Sequence, residues 1–347
     1  MRETEFVAGK SHAKVKVSKE KEIKTMEYVK LGNTGLNVSK ICLGCMGFGA
    51  LDNGGIPGKT SEEEARKIIR FALDNGINFF DTANYYSRGI SEEILGRAIR
   101  DYAERDDMVI ATKLYYPMTD GKNAKGLSRK SIFREVDNSL KRLGTDYIDL
   151  YIIHRLDHDT PMEEIMEALN DLVRSGKVRY IGASSMYAWQ FMKLNAIADK
   201  HGWAKFISMQ DTYNVIYREE EREMVPMLMD QKIAMTPFSP LAHGVFNKPL
   251  DAERTDGIGK LQSDYVLEHD HVINERVREL AGKYGVSNST LALAWVLNKP
   301  FITSPLIGAS KTKYVEDALA AIDLKLTDED MAYLEEPYVP HTLYGFR

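Results

Sequence analysis

Short apolar runs alternate with helix-like segments along this chain, and this alternation limits its fold more than any other feature. Eight runs with strand character lie at 40–44, 77–80, 108–112, 148–153, 178–182, 206–209, 233–237 and 302–307. Strands that are separated by helices pair in parallel, because a parallel pair needs a crossover connection. Eight near-continuous apolar strands flanked by helices predict an α/β fold, a closed (β/α)8 TIM barrel.

An open doubly wound sheet is the alternative architecture. Such a sheet usually carries a G-x-G-x-x-G pattern after its first strand, where the backbone approaches a pyrophosphate. This chain instead has glycines at Gly44, Gly47 and Gly49 after its first run, which is a different spacing. The spacing favours the closed barrel.

Start and stop signals delimit the predicted helices. The first begins with a capping-box pattern at Thr60 and ends at Asn75-Gly76, and the second begins at Ser91 with two acidic residues in its first turn. Further helices are predicted at 128–143, 161–174, 188–200 and 219–231, as a pair within 273–298, and at 313–321. Two irregular segments remain, a loop at 241–271 and an aromatic tail at 337–347, and both are expected near one end of the barrel.

Residues 1–25 differ from the rest of the chain. They contain seven Lys or Arg against four acidic residues and show almost no apolar periodicity. We interpret them as a flexible basic extension, with a partner-binding tail as the alternative. The domain is then 26–347, a single unit that opens with a hairpin around Gly32-Asn33-Thr34-Gly35.

Composition excludes several classes of function. The chain has 347 residues, 44% of them hydrophobic and 28% charged, and a net charge of −5, so it lacks the basic excess of a nucleic-acid-binding protein. No apolar run approaches the roughly 20 residues that cross a bilayer, and the N-terminus has no signal-peptide h-region. We therefore expect a cytoplasmic protein without nucleic-acid or membrane partners; its oligomeric state stays open.

The cysteines and most histidines do not predict a metal or redox site. Cys42 and Cys45 lie in an apolar strand, where three residues span roughly 10 Å, beyond disulfide reach. No second cysteine pair completes a zinc site. Histidines and aspartates crowd together at 154–159 and 268–271, but without a helical i, i+4 pair. Solvated loop polarity explains these clusters, and we expect no metal.

The carboxyl ends of the predicted strands carry the reactive groups in barrel enzymes. The second strand ends at Asp81, the third at Lys113 and the fourth at His154, and Tyr86 follows just after the first of these. Each residue alone has an ordinary explanation, a helix cap for the aspartate and a structural role for the histidine. Three different ionisable side chains at three successive strand ends favour a catalytic interpretation.

If the barrel closes, these four side chains converge at one rim. Tyrosine is a poor acid at neutral pH, but a buried ammonium nearby favours the phenolate and lowers the pKa. We expect Lys113 to act in this way on Tyr86, with Asp81 holding the lysine charged and oriented. His154 can then donate a hydrogen bond to a substrate oxygen. The group suits proton transfer to an oxygen whose carbon exchanges a hydride.

Six segments of the chain closely resemble the aldo-keto reductases, in order from about residue 26 to the end. They read GINFFDTANYYSRGISEEILGRAI, VIATKL, DLYIIHRLD, GKVRYIGASSM, TPFSPLAHG and SPLIGASKTKYVEDAL. The resemblance is closest to the microbial, aryl-alcohol-dehydrogenase-like branch. It implies an NADP(H)-dependent oxidoreductase that reduces aldehydes and ketones, with Tyr86 as general acid, Lys113 and Asp81 as its partners and His154 orienting the carbonyl.

The resemblance also implies the cofactor-binding residues. Ser184, Ser185 and Gln210 match carboxamide-binding positions, Phe238 matches the ring stacked on the nicotinamide, and Gly44 and Met46 match the floor beside it. The remaining matches, to the pyrophosphate loop, the 2′-phosphate pocket and the adenine site, are Ser239, Pro240, Leu241, Gly244, Gly308, Ala309, Ser310, Lys311, Lys313 and Asp317. The resemblance assigns Asp81 to both the catalytic residues and the cofactor-binding residues.

Three positions depart from the family pattern. Ser185 stands where asparagine is common, so one carboxamide contact is weaker or replaced by water. Phe238 keeps the stacking face of the usual Tyr or Trp but lacks a polar tip. Lys311 can contact a phosphate through its single ammonium, whereas arginine would make two parallel hydrogen bonds. The basic pocket therefore favours NADP(H) over NAD(H), but less strongly than an arginine would.

Two other functions remain open at this point. Some barrels that resemble this family, such as potassium-channel β-subunits, bind the cofactor and act mainly as regulatory partners. Lys113 as a Schiff-base nucleophile of an aldolase is less consistent with the nearby Asp81 and Tyr86. The substrate is a small carbonyl compound, and an apolar, aromatic pocket is expected. Its candidate walls are Phe48, Tyr115, Tyr116, Trp189, Tyr338, Tyr344 and Phe346.

Overall fold

The computed structural model describes residues 26–49, 56, 58–247 and 266–343. The basic extension at 1–25, most of the predicted loop at 241–271, and the tail residues Tyr344 and Phe346 lie outside the described residues. None of the helices in the described part of the chain has the length and apolar character needed to span a bilayer.

Eight short strands form one parallel sheet, as the apolar runs predict. The strands are β3 (Cys42–Gly44), β4 (Phe79–Asp81), β5 (Val109–Leu114), β6 (Ile148–Ile153), β7 (Val178–Ser184), β8 (Phe206–Gln210), β9 (Ala234–Met235) and β10 (Leu306–Gly308). Their order in the sheet is β10-β3-β4-β5-β6-β7-β8-β9. The central strands β5 and β6 are buried along their whole length, which explains why their sequences do not alternate.

Contacts between the two ends of this sheet close the barrel. Met235 pairs in parallel with Ile302, just ahead of β10. The amide of Thr303 donates to the carbonyl of Met235 at 2.9 Å, and the amide of Leu306 donates to the carbonyl of Pro237 at 2.9 Å. The predicted (β/α)8 barrel is confirmed.

Helices pack between the strands on the outside of the barrel. They are α1 (Glu62–Asp74), α2 (Ile90–Tyr102), α3 (Arg129–Leu143), α4 (Met162–Arg174), α5 (Ala188–His201), α6 (Met224–Gln231), α7 (Asp270–Tyr284), α8 (Asn288–Leu297), α9 (Thr312–Asp323) and α10 (Asp328–Glu335). Their apolar faces and the outer faces of the strands form one large core, in which the biggest fully buried side chain is Trp295. This core makes the barrel a rigid scaffold for the strand ends.

The predicted hairpin is present and closes the amino-terminal end of the barrel. Its strands are β1 (Tyr28–Lys30) and β2 (Asn37–Ser39), and Leu31 and Val38 join the apolar residues inside the barrel. Gly32 has a φ of 59°. A Cβ at this position would lie 2.9 Å from backbone atoms of Ile207 in β8 and Ala234 in β9. The glycine therefore permits the close approach, and the opposite end of the barrel is left for the site.

Two predictions of helix structure are wrong in detail, and one helix was not predicted. Ser61, not Thr60, caps α1, because its side chain accepts the amide hydrogen of Glu64 at 3.3 Å. The predicted helix 219–231 is a 3₁₀ turn at Glu219–Glu221 followed by α6. The helix α10 has no predicted counterpart; it begins after Thr327, whose side chain accepts from the amide of Asp330.

Candidate active site

Adjacent strand ends bring the four predicted catalytic residues together. Asp81 is the last residue of β4, Lys113 is the penultimate residue of β5, and His154 directly follows β6. Tyr86 lies in the turn after β4, next to a 3₁₀ turn at Ser87–Gly89. These strands are neighbours in the sheet, so their carboxyl ends share one rim. All four side chains are buried.

Lys113 connects the other members of this group. Its fully buried Nζ is paired with Oδ1 of Asp81, donates to the carbonyl of Thr82 at 2.9 Å, and donates to the hydroxyl of Tyr86 at 3.3 Å. These contacts use all three N–H donors of the ammonium. A lysine satisfied in this way is fixed in position and keeps its charge next to the tyrosine oxygen.

The electrostatics of the pair differ from the expectation in one respect. Burial raises the pKa of Tyr86 above its ordinary value, and the Lys113 ammonium opposes that rise without cancelling it. The prediction that the pKa of Tyr86 is lowered overall is therefore wrong. Lys113 does lower this pKa, as predicted, but burial raises it by more. Burial alone would lower the pKa of Lys113, but Asp81 and Tyr86 outweigh it and raise that pKa. The lysine is thus a fixed cation and the tyrosine a neutral phenol at neutral pH.

His154 lies next to Tyr86 as a neutral imidazole. The two rings meet edge to face with centroids 5.9 Å apart. Burial, followed by the positive charges of Lys113 and Arg155, lowers the pKa of His154 well below its usual value. Its Nδ1 is buried without a partner among the described residues. A neutral imidazole carries one N–H, so His154 can donate a hydrogen bond to a substrate oxygen without transferring a proton.

Gln210 contacts the catalytic group. Its Nε2 donates to Oδ2 of Asp81 at 3.0 Å, while Lys113 occupies Oδ1 of the same carboxylate. The sequence assigns Gln210 only to cofactor binding. The structure places it beside Asp81, where it fixes the orientation of the carboxylate that holds the lysine.

Ser184 and Ser185 lie at the end of β7, beside that glutamine. The hydroxyl of Ser184 donates to the carbonyl of Gln210 at 2.8 Å. The amide of Ser185 donates to Oδ1 of Asp211 at 2.8 Å, and its Oγ accepts from Nη1 of Arg155 at 3.0 Å. Arg155 and Asp211 therefore hold Ser185 from two sides. Both were missed in the sequence, although each directly follows a predicted site residue.

The predicted pyrophosphate loop has an unusual backbone. Ser239, Ala242 and His243 have φ values of 53°, 47° and 54°, a region that non-glycine residues rarely adopt, and Ser185 has the same conformation. Such residues concentrate at functional sites, where the surrounding structure holds them in place. One support is Asn214, whose Nδ2 donates to the carbonyl of Ser239 at 3.0 Å. Phe238, which pairs with Thr212, is half-buried and so offers part of its ring.

The predicted phosphate pocket lies at the end of β10 and the start of α9. Gly308, Ser310 and Lys311 are exposed, and Lys311 has no ion-pair partner among the described residues. Lys313 differs, because its Nζ pairs with Asp317 at 2.9 Å. Lys311 is therefore the better candidate for a phosphate contact, and Asp317 is occupied by Lys313.

The residues present fit a nicotinamide dinucleotide. The exposed Lys311 ammonium suits a phosphate. Inside the rim, the buried Nδ1 of His154 has no hydrogen-bond partner among the described residues and is available to a bound molecule. Gly44 and Met46 lie at and just beyond the end of β3, and Met46 is 45% exposed. An exposed apolar side chain at the carboxyl end of β3 is consistent with a surface against which the planar nicotinamide ring can pack.

Aromatic side chains line the rim next to His154. Tyr116 meets the His154 ring edge to face at 5.1 Å, and it also contacts Tyr85 at 4.9 Å and Tyr115 at 5.2 Å between centroids. Two other candidate walls fit less well. Phe48 is fully buried in the outer core, and Trp189 is 58% exposed.

Both cysteines are unsuited to nucleophilic chemistry. Cys42 and Cys45 are free and fully buried. Burial, and next to it the negative charge of Asp81, raises the pKa of each thiol. Neither is a thiolate at neutral pH.

Comparison with known proteins gives the family. The model of the aldo/keto reductase family matches residues 40–338. The chain is 46% identical over 343 residues to the versiconal hemiacetal acetate reductase of Aspergillus parasiticus, covering 92% of this chain and 99% of that protein. It is also 46% identical over 341 residues to a Schizosaccharomyces pombe protein provisionally named aryl-alcohol dehydrogenase, covering 91% and 96%. An aldo-keto reductase of Alternaria alternata is 41% identical over 338 residues, covering 90% and 91%.

These matches confirm the resemblance to the aryl-alcohol-dehydrogenase-like branch. They run through the four strand ends and the loops that carry the candidate site, and the relatives' names describe reductases and dehydrogenases. The chain is an oxidoreductase and belongs to the aldo/keto reductase family.

Proposed function

We propose that this protein reduces aldehydes or ketones to alcohols with NADP(H), and that Tyr86 is the general acid. The observation that carries the proposal is the contact between Lys113 and Tyr86, 3.3 Å from Nζ to the hydroxyl, within a buried group that also contains Asp81 and His154. When bound, NADPH supplies the hydride that the carbonyl carbon accepts. The chain then has to bind the carbonyl oxygen and give it a proton.

The four side chains divide this work. His154 donates a hydrogen bond to the carbonyl oxygen and stays neutral, because its pKa is far below neutral pH. Tyr86 transfers its phenolic proton to the same oxygen as negative charge develops there. The phenolate that remains is stabilised by the Lys113 ammonium, which Asp81 keeps charged and in place. The reverse reaction uses the same groups, with the phenolate as base.

The proposed cofactor contacts follow the matched positions. Lys311 binds the 2′-phosphate, which is the reason to prefer NADP(H) over NAD(H). Ser184 and Ser185 face the carboxamide, with Arg155 and Asp211 as their supports. We further propose that residues 26–347 form the catalytic domain and that residues 1–25 are an extension to it.

The substrate is proposed to be an aromatic carbonyl compound. The ring contacts among Tyr85, Tyr115, Tyr116 and His154 put flat apolar surfaces beside the proton donor. Relatives named for a hemiacetal acetate and for aryl alcohols are consistent with this class.

An aldolase mechanism has little support. A Schiff-base lysine must be uncharged to attack a carbonyl, whereas the pKa of Lys113 is raised and its ammonium is paired with Asp81.

The test is consumption of NADPH and NADH, followed by absorbance, against a panel of aromatic and aliphatic aldehydes and ketones. We expect NADPH to be oxidised fastest with aromatic aldehydes. Tight NADPH binding with negligible turnover across the panel would contradict the enzymatic proposal and favour a regulatory, cofactor-binding protein.

A further inference from the structure

Two histidines and an aspartate form a cluster that the proposed reaction does not use. His269 and Asp270 lie at the start of α7, and His341 comes from the carboxyl-terminal segment. One donor atom of each residue lies within 4.8 Å of one donor atom of the other two. Nε2 of His341 is 3.0 Å from Oδ2 of Asp270, and Nε2 of His269 is 3.9 Å from Oδ1.

The cluster contains buried polar atoms that lack hydrogen-bond partners among the described residues. The side chains of Asp270 and His341 are 0% and 1% exposed. Oδ1 of Asp270, Nδ1 of His341 and Nε2 of His269 are all buried without a hydrogen-bond partner in the described part of the chain. A buried polar atom without a hydrogen-bond partner destabilises the folded state, and more so if it is charged. Two of these atoms, Oδ1 of Asp270 and Nε2 of His269, lie 3.9 Å apart, and a ligand between them would satisfy both.

The hydrogen bond between His341 and Asp270 explains only part of this arrangement. It satisfies Nε2 of His341 and Oδ2 of Asp270. It leaves Oδ1 of Asp270 and Nε2 of His269 without a hydrogen-bond partner among the described residues. Within the described ranges, the two histidines are the basic residues close to the Asp270 carboxylate, and no lysine or arginine pairs with it.

We propose that His269, Asp270 and His341 bind a Zn²⁺ ion. Two imidazole nitrogens and a carboxylate oxygen are ligands that zinc accepts, with bonds of about 2.0–2.2 Å. Ligand atoms around a tetrahedral ion of that size are roughly 3.4 Å apart. The 3.0 Å separation between His341 and Asp270 would open slightly, and the 3.9 Å separation between His269 and Asp270 would close slightly. The His269 side chain is 34% exposed, so the cluster lies close to the protein surface, and water would supply the fourth ligand.

Neighbouring groups already orient two of the three ligands, Asp270 and His341. The amide of Leu267 donates to Oδ2 of Asp270 at 2.7 Å. The amide of His341 donates to Oε1 of Glu219 at 2.8 Å, and the Tyr338 ring stacks on the His341 ring with centroids 5.6 Å apart. Such outer contacts hold ligands in the geometry that a metal needs.

The site joins parts of the chain that are far apart in sequence. His341 is 71 positions from Asp270, so the pattern at 268–271 gave no indication of the third ligand. The expectation of no metal rested on that local pattern. Zinc binding at this place links the start of α7 to the carboxyl-terminal segment, and it should stabilise the fold by mass action.

The test uses full-length, untagged protein that has been treated with EDTA and dialysed. Zn²⁺ is titrated by calorimetry into the wild type and into His269→Ala, Asp270→Asn and His341→Ala. We expect one Zn²⁺ per chain with a Kd of roughly 1 μM or below. Binding should weaken at least about 100-fold in each variant, and the matched control His271→Ala should bind like the wild type.

Thermal unfolding with and without Zn²⁺ gives a second reading. The melting temperature of the wild type and of His271→Ala should rise with Zn²⁺, and that of His269→Ala should not. The His269 variant keeps the buried Asp270–His341 contact, so it remains informative if the other two variants fail to fold. Absence of saturable binding to the wild type, or wild-type binding by the His269 variant, would overturn the proposal.

Discussion

Gln210 donates a hydrogen bond of 3.0 Å to the carboxylate of Asp81, on the oxygen that Lys113 leaves free. Asp81 is 2% exposed, so its two oxygens depend on these two donors. A residue assigned to the cofactor by its position thus also supports the catalytic group.

The first prediction concerns this glutamine. Gln210→Leu should lower the free energy of unfolding by about 1–3 kcal/mol, because Oδ2 of Asp81 loses its donor. Urea denaturation measures the change. The exposed Gln231→Leu is the control and should stay within about 0.5 kcal/mol of wild type. Equal stabilities of the two variants would show that the hydrogen bond does not support Asp81.

The second prediction concerns the buried ion pair. Lys113→Met should lower the free energy of unfolding by about 3–5 kcal/mol, because it leaves the Asp81 charge unpaired. Adding Asp81→Asn to that variant should recover most of the loss, since the asparagine is neutral and can still accept from Gln210. A double variant that loses the sum of both single changes would contradict the pairing.

The third prediction concerns the phosphate pocket. Lys311→Ala should weaken NADPH binding roughly 10- to 100-fold, the effect of one charge-assisted contact, and should change NADH binding far less. Fluorescence titration gives both Kd values. The exposed Lys325→Ala should change neither. Equal losses for the two cofactors in the Lys311 variant would place the phosphate contact elsewhere.

The fourth prediction is a pH dependence of stability. Burial raises the pKa of both Asp211 and Glu220, and the charge of Asp211 raises that of Glu220 further. Asp211 Oδ2 and Glu220 Oε1 are buried without a hydrogen-bond partner in the described ranges. We expect a proton held by Glu220 to provide the missing donor between the two carboxyls.

A raised carboxyl pKa in the folded state favours folding at low pH. The contribution is complete below the unfolded pKa near 4 and is lost as the pH rises through the raised value. Glu220→Gln cannot ionise, so its unfolding free energy should decline less than that of the wild type between about pH 5 and about pH 9. Parallel stability curves from urea titrations would show that the two carboxyls do not share a proton.

Much of the fold and of the catalytic group could be predicted from the sequence. The barrel strands β5 and β6 are apolar throughout because both of their faces are buried. Their ends are then fixed by the barrel geometry, which is why Asp81, Lys113 and His154 could be placed at one rim. Strict alternation of elements therefore predicted long-range contacts without any structure.

Side-chain contacts and local helix ends were harder to predict. The bond from Gln210 to Asp81 joins residues 129 positions apart and depends on the direction of one amide. Thr60 and Ser61 offer the same hydroxyl, and only the backbone decides that Ser61 caps α1. The net pKa of Tyr86 depends on how completely the ring is buried, which sequence does not give.

The central claim is that Tyr86 delivers the proton beside the Lys113 ammonium. The direct test is the turnover of Tyr86→Phe with NADPH and an aromatic aldehyde, compared with Tyr85→Phe, which changes the neighbouring tyrosine instead. We predict a loss of about 10²- to 10⁴-fold for Tyr86→Phe with NADPH binding retained, and near-normal turnover for Tyr85→Phe. Near-normal turnover by Tyr86→Phe would contradict the account.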